Sequence, residues 1–391
     1  MSYFQKEALG TGGVESMTAP RDHNVDPAPS QATPGKSPHL VSEVIPSLNG
    51  IRAISVLIVA LAHSGFQLVP GGLGVTIFFF LSGYLISTLM LTEHRQTGRI
   101  NIAHFYARRG LRLLPPLMVT LAIAYALTYS GWLAGGISKE GLAAQLLYFA
   151  NYYWLFFDKG GTIPDGTGIL WSLAVEEHFY IFYPLLMTIF LGIALRPRLI
   201  ATFLGIACLA VLAWRIHLAL SPNFFSERTY YASDTRIDSI IFGCILAVVL
   251  NPVRQKPRSG SMSLAEWTLL AAAVGALLTT LLYRDVVARE TIRYSIQGLA
   301  LMPIFYFAIR YFDNPLFRHL NSSWIITLGI YSYAIYLIHH IVIQLIHNNF
   351  TNISSNPFIV FPLALLVSVA FAAAIDRFVD PHFKSLRRKF R

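Results

Sequence analysis

Long runs of apolar residues constrain this chain more than any other feature of its sequence. Ten such runs, each of roughly 16–25 residues, are long enough to cross or nearly cross the hydrocarbon core of a bilayer. The chain is 54% hydrophobic and 13% charged, whereas soluble domains carry roughly a quarter charged residues. The composition excludes a soluble globular enzyme, a disordered regulator and a fibrous repeat protein. It predicts an all-α polytopic membrane protein.

The basic residues between the apolar runs predict the orientation of about ten transmembrane helices. A further run at 142–157 is short and contains Asn151, Tyr152 and Trp154, which suit the membrane interface better than hydrocarbon. If this run is an external or re-entrant segment, every arginine cluster falls on one side together with both termini. The positive-inside rule then predicts an integral plasma (inner) membrane protein with cytoplasmic termini. The predicted spans are approximately 50–70, 72–92, 112–132, 169–193, 199–220, 236–251, 264–283, 292–312, 324–347 and 356–378.

The two ends of the chain differ in composition from the membrane portion at 46–380. Residues 1–45 are polar, with five prolines among Gly, Ser and Thr, and predict a disordered cytoplasmic tail. Residues 381–391 form a short basic cytoplasmic tail that suits anionic lipid headgroups. Because this tail has no notable aromatic interleaving, no nucleic-acid partner is predicted. We also expect no C-terminal soluble domain after the last span.

Ionisable residues inside the spans carry most of the functional information, because such residues are costly unless they face a partner or water. Arg52 and His63 lie eleven positions apart in the first span. This spacing is three helical turns plus about 20°, so the two side chains share one face, about 16 Å apart. It places His63 near mid-membrane, where a neutral imidazole suits a general base. The alternative is a histidine that only hydrogen-bonds to a neighbouring helix.

Two arginines precede the third span in the segment HFYARRGLRLLPP. Arg109 and Arg112 are three positions apart and should be neighbours on a helix that begins at the cytoplasmic face. Pro115 and Pro116 are expected in its first turns, where missing backbone donors cost least. Paired guanidinium groups at a helix N-terminus suit the phosphates of a cytoplasmic cofactor. The alternative is charge that only sets the topology.

The fourth and ninth spans also contain polar groups. Glu176 and Glu177 lie about two turns inside an apolar run, and Tyr180 shares a face with Glu176. One of the two glutamates could orient or charge a histidine or hold an acceptor hydroxyl, and the alternative is a polar cap at the helix entrance. His340 and His347 could share a face, but metal sites need three or four ligands and no carboxylate lies nearby, so no metal is predicted.

The order of five motifs resembles the integral-membrane acyltransferase 3 family, which includes O-antigen and peptidoglycan O-acetyltransferases. The motifs are LNGIRAISVLIVALAH, LSGYLIS, FYARRGLRLLPP, WSLAVEEHFYIFYPLL and SYAIYLIH, and the resemblance covers roughly residues 46–380. The family's arginine–histidine motif falls on Arg52 and His63, and its paired-arginine motif falls on Arg109 and Arg112. Its glutamate motif falls on Trp171, Ser172, Glu176, Phe179 and Tyr180. Its tyrosine–histidine motif falls on Tyr336 and His339.

The resemblance implies transfer of an acyl group, usually acetyl, from acyl-CoA to a hydroxyl of an envelope glycan or a lipid-linked saccharide. It implies that His63 is the general base or a transient acyl carrier and that Glu176 sets its tautomer or basicity. Arg52 would bind the donor or stabilise the oxyanion, and Arg109 and Arg112 would hold the donor phosphates. The residues implied to contact substrate are Trp171, Ser172, Tyr180, Tyr336 and His339.

The sequence departs from the family pattern at three positions. Asn49 and Thr76 stand where many members have Asp, and Ala53 where many have Gly, so any role of those carboxylates is in doubt here. The acceptor sugar, the acyl chain and the oligomeric state stay undetermined, because Gly-rich faces serve internal packing as well as homo-oligomers.

A proton-coupled transporter or flippase is the alternative function, since intramembrane His, Glu and Arg also mark carriers. The hydropathy shows neither two-fold internal symmetry nor paired broken helices, which favours the transferase.

Overall fold

The computed structural model describes residues 46–158, 160–258 and 260–390. Within these ranges the chain forms α-helices joined by short 3₁₀ and π segments, with one isolated bridge between Gly135 and Pro164 in place of a sheet. The predicted all-α class is therefore confirmed for the described ranges. The prediction of a disordered tail over residues 1–45 lies outside them.

The helices are numbered in chain order, and a 3₁₀ turn at Thr167–Leu170 leads into α6. The π segment Ile375–Val379 joins α15 to α16. The α-helices are α1 (Pro46–His63), α2 (Gly71–Thr97), α3 (Ile102–Tyr129), α4 (Lys139–Leu146), α5 (Ala150–Phe156), α6 (Trp171–Gly192), α7 (Pro197–Ala219), α8 (Ser226–Tyr231), α9 (Ser233–Val249), α10 (Leu264–Leu282), α11 (Val286–Glu290), α12 (Ile292–Arg310), α13 (Ser323–Asn349), α14 (Thr351–Ser354), α15 (Pro357–Ala374) and α16 (Asp380–Arg388).

Nine helical segments among the described residues are long and apolar enough to cross a membrane, and a shorter apolar helix, Ser47–His63, accompanies them. These ten elements correspond to the ten predicted spans, so the polytopic architecture is confirmed. The run at 142–157 is divided between α4 and α5, of eight and seven residues. Tyr148 separates the two helices with a left-handed φ of 57°. Neither helix could cross a bilayer, so the run is not a span, as predicted.

The first predicted span, 50–70, ends earlier than expected. α1 stops at His63, and Gly65 takes a left-handed φ of 102°, a conformation that glycine adopts without steric cost. His63 lies opposite His339 and His340. These two residues are well inside the 27-residue α13. The depth of His63 in the membrane stays a prediction.

The third predicted span, 112–132, begins too late. α3 starts at Ile102, where the Asn101 side chain accepts a hydrogen bond from the backbone N–H of His104. Pro115 and Pro116 lie in the helix interior, so their expected place in the first turns is wrong. Membrane helices tolerate interior prolines because neighbouring groups satisfy the freed backbone atoms. Arg109 and Arg112 therefore lie two to three turns beyond the N-terminus of α3, outside the reach of the helix dipole.

The last predicted span, 356–378, continues further than expected. α15 runs through the π segment into α16, so residues 381–388 of the predicted basic tail are helical. α16 packs against α3. The basic end of the chain is thus attached to the membrane domain.

α9 occupies the centre of the helix assembly and packs against α2, α7, α12 and α6. Its contact with α2 is backbone to backbone, because a Cβ at Gly83 would overlap the carbonyl oxygen of Ile240 and one at Gly243 would overlap that of Phe80. Small residues permit such approach between membrane helices, where apolar surfaces alone supply little driving force. The Gly-rich sequence of the second span therefore serves internal packing.

A buried ion pair joins three of these helices. Arg215 of α7 lies 2.7 Å from Asp238 of α9, and both side chains are fully buried. Arg215 also donates to the backbone carbonyls of Thr235 and Thr291 and to the hydroxyl of Ser295 in α12. The guanidinium thus satisfies groups from several segments at one point of the core.

We expect Arg215→Met to lower the free energy of unfolding by about 3–5 kcal/mol, because it leaves the buried Asp238 carboxylate without its cation. The double variant Arg215→Met/Asp238→Leu should recover most of this loss. Denaturation of the purified protein in detergent micelles measures both effects.

Arg258→Gln is the matched control, because Arg258 forms an ion pair with Glu266 at 2.9 Å but is 57% exposed. That variant should change the free energy of unfolding by less than about 1 kcal/mol. Equal effects of the Arg215 and Arg258 variants would contradict a special role for the buried pair.

Candidate functional site

Three imidazole rings meet where α1 ends against α13. His63 Nδ1 lies 3.0 Å from His339 Nε2. The His63 ring also stacks on His340, with centroids 4.4 Å apart. His339 is fully buried, whereas His63 is partly exposed. This arrangement gives His63 a fixed orientation while leaving part of its ring accessible.

The hydrogen bonds of His339 assign the tautomers of the pair. His339 Nδ1 lies 2.7 Å from the carbonyl oxygen of Tyr336 and 3.2 Å from that of Ile335. Carbonyl oxygens only accept, so His339 Nδ1 carries the proton and its neutral Nε2 has a lone pair. His63 Nδ1 must then donate to His339 Nε2. The remaining nitrogen, His63 Nε2, keeps its lone pair and can accept a proton.

His63 borders a pocket of about 240 Å³ that is rich in aromatic side chains. One wall is fixed by Tyr336, whose hydroxyl lies 2.7 Å from that of Ser172. Trp171 packs against Tyr230 and Tyr231, with ring centroids 5.1 and 5.0 Å away. The lining consists of Val59, Ala62, His63, Gly71, Gly72, Val75, Trp171, Tyr230, Tyr231 and Tyr336. A small ring-shaped molecule carrying a hydroxyl would fit such a pocket beside the imidazole.

His340 is a member of this cluster that the sequence analysis considered only as a metal ligand together with His347. Its Nδ1 is buried and has no hydrogen-bond partner among the described residues. Adjacent helical residues point about 100° apart, so the sequence separates His340 from His339. The two rings belong to one cluster because His63, at the end of α1, stacks on both His339 and His340.

A second cluster lies on the other side of Ser172 along α6. Arg109 Nη2 is 2.6 Å from Glu177 Oε1 and 3.8 Å from Glu176 Oε2. Its guanidinium carbon lies 3.4 Å from the centroid of the Tyr180 ring. Arg109 is thus held by two carboxylates and an aromatic face. Tyr180 belongs to this cluster and is absent from the lining of the pocket.

Glu176 is therefore placed differently from the expectation. It lies beside Arg109, while the hydrogen-bond partner of His63 is His339. The tautomer of His63 is set by the second imidazole, a role that the sequence reading gave to Glu176. Glu177 makes the shorter contact with Arg109, although the sequence indicated no specific partner for it. Successive helical residues point about 100° apart, so the two glutamates approach Arg109 differently.

The segment between α4 and α5 reaches this second cluster. The charges of Glu177 and Arg109 both act on the Tyr148 hydroxyl, and burial raises the pKa of Tyr148 above its usual range. The short helix α5 also packs against α6, the helix that carries Glu176 and Glu177.

Arg52 and Arg112 lie beside the second cluster but have no short-range counterion. The charge of Arg112 acts on Arg52, as does the more distant carboxylate of Glu176. Neither arginine forms a hydrogen bond or an ion pair within the described part of the chain. Arg112 is exposed and Arg52 is partly buried. Two neighbouring guanidinium groups without a bound carboxylate are suited to an anionic ligand.

The two clusters share their supporting helices. α1 carries Arg52 and His63 on one face about 16 Å apart. α6 carries Glu176 one turn after Ser172, and α13 carries Tyr333 one turn before Tyr336. The structure therefore brings the predicted site residues into two linked groups. His63, His339, Tyr336, Ser172 and Trp171 form the first group, and Arg52, Arg109, Arg112, Glu176 and Tyr180 form the second.

The imidazole cluster differs in geometry from a metal site. Within residues 46–158, 160–258 and 260–390, no group of three or more His, Cys, Asp or Glu side chains is arranged to hold a metal ion. The three imidazoles are instead stacked and hydrogen-bonded to one another. Stacked rings direct their nitrogens in the ring planes, so a common ligand position is disfavoured.

Comparison with known proteins places this arrangement in a family. The sequence model of the acyltransferase 3 family, described as an acyltransferase domain, matches residues 45–377. The O-acetyltransferase OatA of Staphylococcus aureus strain NCTC 8325 / PS 47 is 28% identical over 351 residues, which cover 86% of this chain and 56% of OatA. SACOL0978 of S. aureus strain COL, provisionally named an O-acetyltransferase, is 29% identical over 364 residues, which cover 90% and 59% of the two chains.

This chain spans less than two thirds of the length of these relatives. No solved structure shows significant similarity to it. The family match nonetheless extends over most of the 391 residues and includes both clusters, which confirms the resemblance seen in the motifs. The chain belongs to the acyltransferase 3 family of integral-membrane acyltransferases.

Proposed function

We propose that this protein is a membrane O-acetyltransferase that moves an acetyl group from acetyl-CoA to a hydroxyl of an envelope glycan or a lipid-linked saccharide. The observation that carries the proposal is the oriented pair of imidazoles beside a pocket. A base with its lone pair held in one direction suits the activation of a hydroxyl. The relatives named as O-acetyltransferases support the acyl group and the type of acceptor atom.

The reaction follows from the tautomer of His63. Its Nε2 takes the proton of the acceptor hydroxyl while that oxygen attacks the carbonyl carbon of the thioester. The tetrahedral intermediate then expels the thiolate of coenzyme A, which takes the proton from Nε2. The ester is formed, the C–S bond is broken, and His63 returns to its neutral state. His339 accepts the Nδ1–H bond throughout and stabilises the transient imidazolium, as a third group does in catalytic triads.

The aromatic pocket is the proposed acceptor site. Trp171 and Tyr230 line the pocket with aromatic rings, and Tyr336 adds a hydroxyl whose position is fixed by a hydrogen bond with the buried Ser172 behind the lining. Sugar rings carry both C–H faces and hydroxyl groups, so a mixed aromatic and polar lining suits them. A volume of about 240 Å³ leaves room for one small ring rather than an extended saccharide.

The second cluster is the proposed entry for the donor. Coenzyme A is an anion, and Arg112 and Arg52 are the guanidinium groups of this cluster that are free of short contacts with carboxylates. Arg109 is committed to Glu177 and Tyr180, so we assign it to positioning rather than to direct contact with the donor. Because donors of this kind are confined to the cytoplasm, this end of the bundle would face that compartment.

The first test is the incorporation of labelled acetyl groups into a glycan by purified protein in detergent, where transport has no meaning. We expect His63→Gln to lower kcat by about 100- to 10,000-fold, because the base is lost. His347→Gln is the matched control: it makes the same change two turns from His339 at a position absent from the pocket lining. Full acetylation by His63→Gln would contradict the catalytic assignment.

His339 is tested in the same assay with two substitutions. His339→Gln offers an amide oxygen near the place of Nε2 and should retain more activity than His339→Leu. The Leu variant should lower kcat with little change in the KM for acetyl-CoA, because it affects the orientation of His63 and not donor binding. Equal loss in both variants would show that His339 acts only through packing.

The two arginines of the paired motif should differ in their effects. Arg112→Gln should raise the KM for acetyl-CoA about tenfold and leave the unfolding temperature unchanged, because it removes a charged contact with the donor. Arg109→Gln should lower the unfolding temperature, because it leaves the Glu176 and Glu177 carboxylates without their cation. Donor titrations and thermal unfolding in detergent measure both. The reverse pattern would exchange the two assignments.

The orientation of the protein is tested with reporter fusions at residues 160 and 197. Residue 160 lies between α5 and α6, and residue 197 begins α7, at opposite ends of α6. The basic residues at the second end predict a cytoplasmic reporter at 197 and an external one at 160. Both reporters on the same side would overturn the proposed topology, with cytoplasmic termini and an external 142–157 segment.

A further inference from the structure

The last described helix, α16, is attached to the side of α3. Arg108 Nη1 donates a hydrogen bond of 2.6 Å to the carbonyl oxygen of Phe390. The Phe390 ring also meets the His104 ring edge-on, with centroids 5.6 Å apart. The π segment that precedes α16 adds a residue to one turn and so changes the direction of the side chains that follow. These contacts, made just after the end of α16, hold the helix against α3.

One face of α16 carries a defined set of charges. Asp380, Lys384 and Arg387 recur at positions i, i+4 and i+7, which places them on one side of the helix. Asp380 accepts a hydrogen bond of 2.8 Å from Arg387 and lies 3.8 Å from the Lys384 ammonium. Arg388 is exposed and has no such contact among the described residues. The cations of α16 therefore fall into two sets: Lys384 and Arg387 contact Asp380, whereas Arg388 is exposed without such a contact.

Arg387 lies on the side of α16 that adjoins the proposed donor entry. The charge of Arg387 acts on Arg112 in α3, and the Asp380 carboxylate acts on it as well. Arg52 approaches Arg112 from α1. Asp380 is shared by two cations, Lys384 and Arg387, whereas Arg109 alone contacts both Glu176 and Glu177. With Arg112 and Arg52 nearby, and with Glu176 as the further carboxylate that acts on Arg52, cations outnumber carboxylates at this place. Such an excess of like charge at one place attracts an anion with several negative groups.

We propose that α16 forms the outer wall of the donor site and that Arg387 and Lys384, together with Arg112, bind the phosphate groups of the donor nucleotide. This inference rests on the proposed function, since it names residues for the same donor. The Arg387 side chain is 18% exposed and adjoins Arg112 of α3, whereas Lys384 is 58% exposed and lies at the rim, where its charge can still reach an entering anion. Arg388 and Lys389, which project away, are the ones placed to meet anionic lipid headgroups.

The experiment compares Arg387→Gln with Arg388→Gln in the full-length protein, purified in detergent without anionic lipid. The two substitutions remove the same charge from neighbouring positions on different faces of one helix. Arg387→Gln should raise the KM for acetyl-CoA about tenfold with kcat nearly unchanged, because one charge-assisted contact with phosphate is lost. Arg388→Gln should change the KM by less than about twofold. Equal effects of the two variants would overturn the proposal.

Coenzyme A binding separates this proposal from the proposed function. Coenzyme A should raise the unfolding temperature of the wild-type protein. The coenzyme A concentration that gives the same rise should be about tenfold higher for Arg387→Gln. If coenzyme A has no effect on the wild type, the donor itself is wrong. If coenzyme A stabilises the wild type and Arg387→Gln equally, only the role of α16 is wrong.

Two further measurements complete the test. Lys384→Gln should shift the coenzyme A concentration in the same direction as Arg387→Gln, so the proposal does not depend on the folding of one variant. The Arg387→Gln effect is then measured again in nanodiscs with and without phosphatidylglycerol. An effect confined to phosphatidylglycerol nanodiscs would assign the face to lipid headgroups and overturn the proposal.

Discussion

The structure depends on one constraint: an ionised or polar side chain among apolar helices must find a partner within the protein. Arg215 and Asp238 satisfy each other at the centre of the bundle, where the guanidinium also binds backbone carbonyls. Arg109 satisfies Glu177 and lies over Tyr180. Against this background the groups that lack such partners stand out. Arg52 and Arg112 are the guanidinium groups beside the second cluster that remain available to a ligand.

The same constraint explains why the imidazole cluster is suited to chemistry. His339 is buried, and its Nδ1–H donates to backbone carbonyl oxygens of its own helix. Its second nitrogen can only accept, so His63 has one allowed orientation and one free lone pair. A base prepared in this way needs little reorganisation when it takes a proton. The aromatic side chains beside it limit the space around the accessible part of the ring.

The two clusters suggest how a cytoplasmic donor and an exported acceptor meet. α1 spans the distance between them, with a guanidinium at one end and an imidazole at the other. The phosphates of the donor would stay among the cations of α1, α3 and α16, while its thioester extends along α1 towards His63. The acceptor would enter the aromatic pocket from the other side. The division keeps the charged part of the donor in water and the reacting atoms among apolar walls.

The sequence by itself determined the class of protein, the number of spans and many of the residues of both clusters, because apolar length and intramembrane charge are local properties. It did not predict Tyr230 and Tyr231 in the pocket, which packing brings beside Trp171. It predicted that 142–157 does not span, since the positive-inside rule favours the topology without that span. It misplaced the start of α3 and the end of α1, since prolines and a short loop do not reveal how neighbouring helices satisfy their backbone. The partners of His63, Glu176 and Arg109 were decided by tertiary structure alone. Helical periodicity shows which residues share a face, but only the packing of α1, α6 and α13 decides which faces meet.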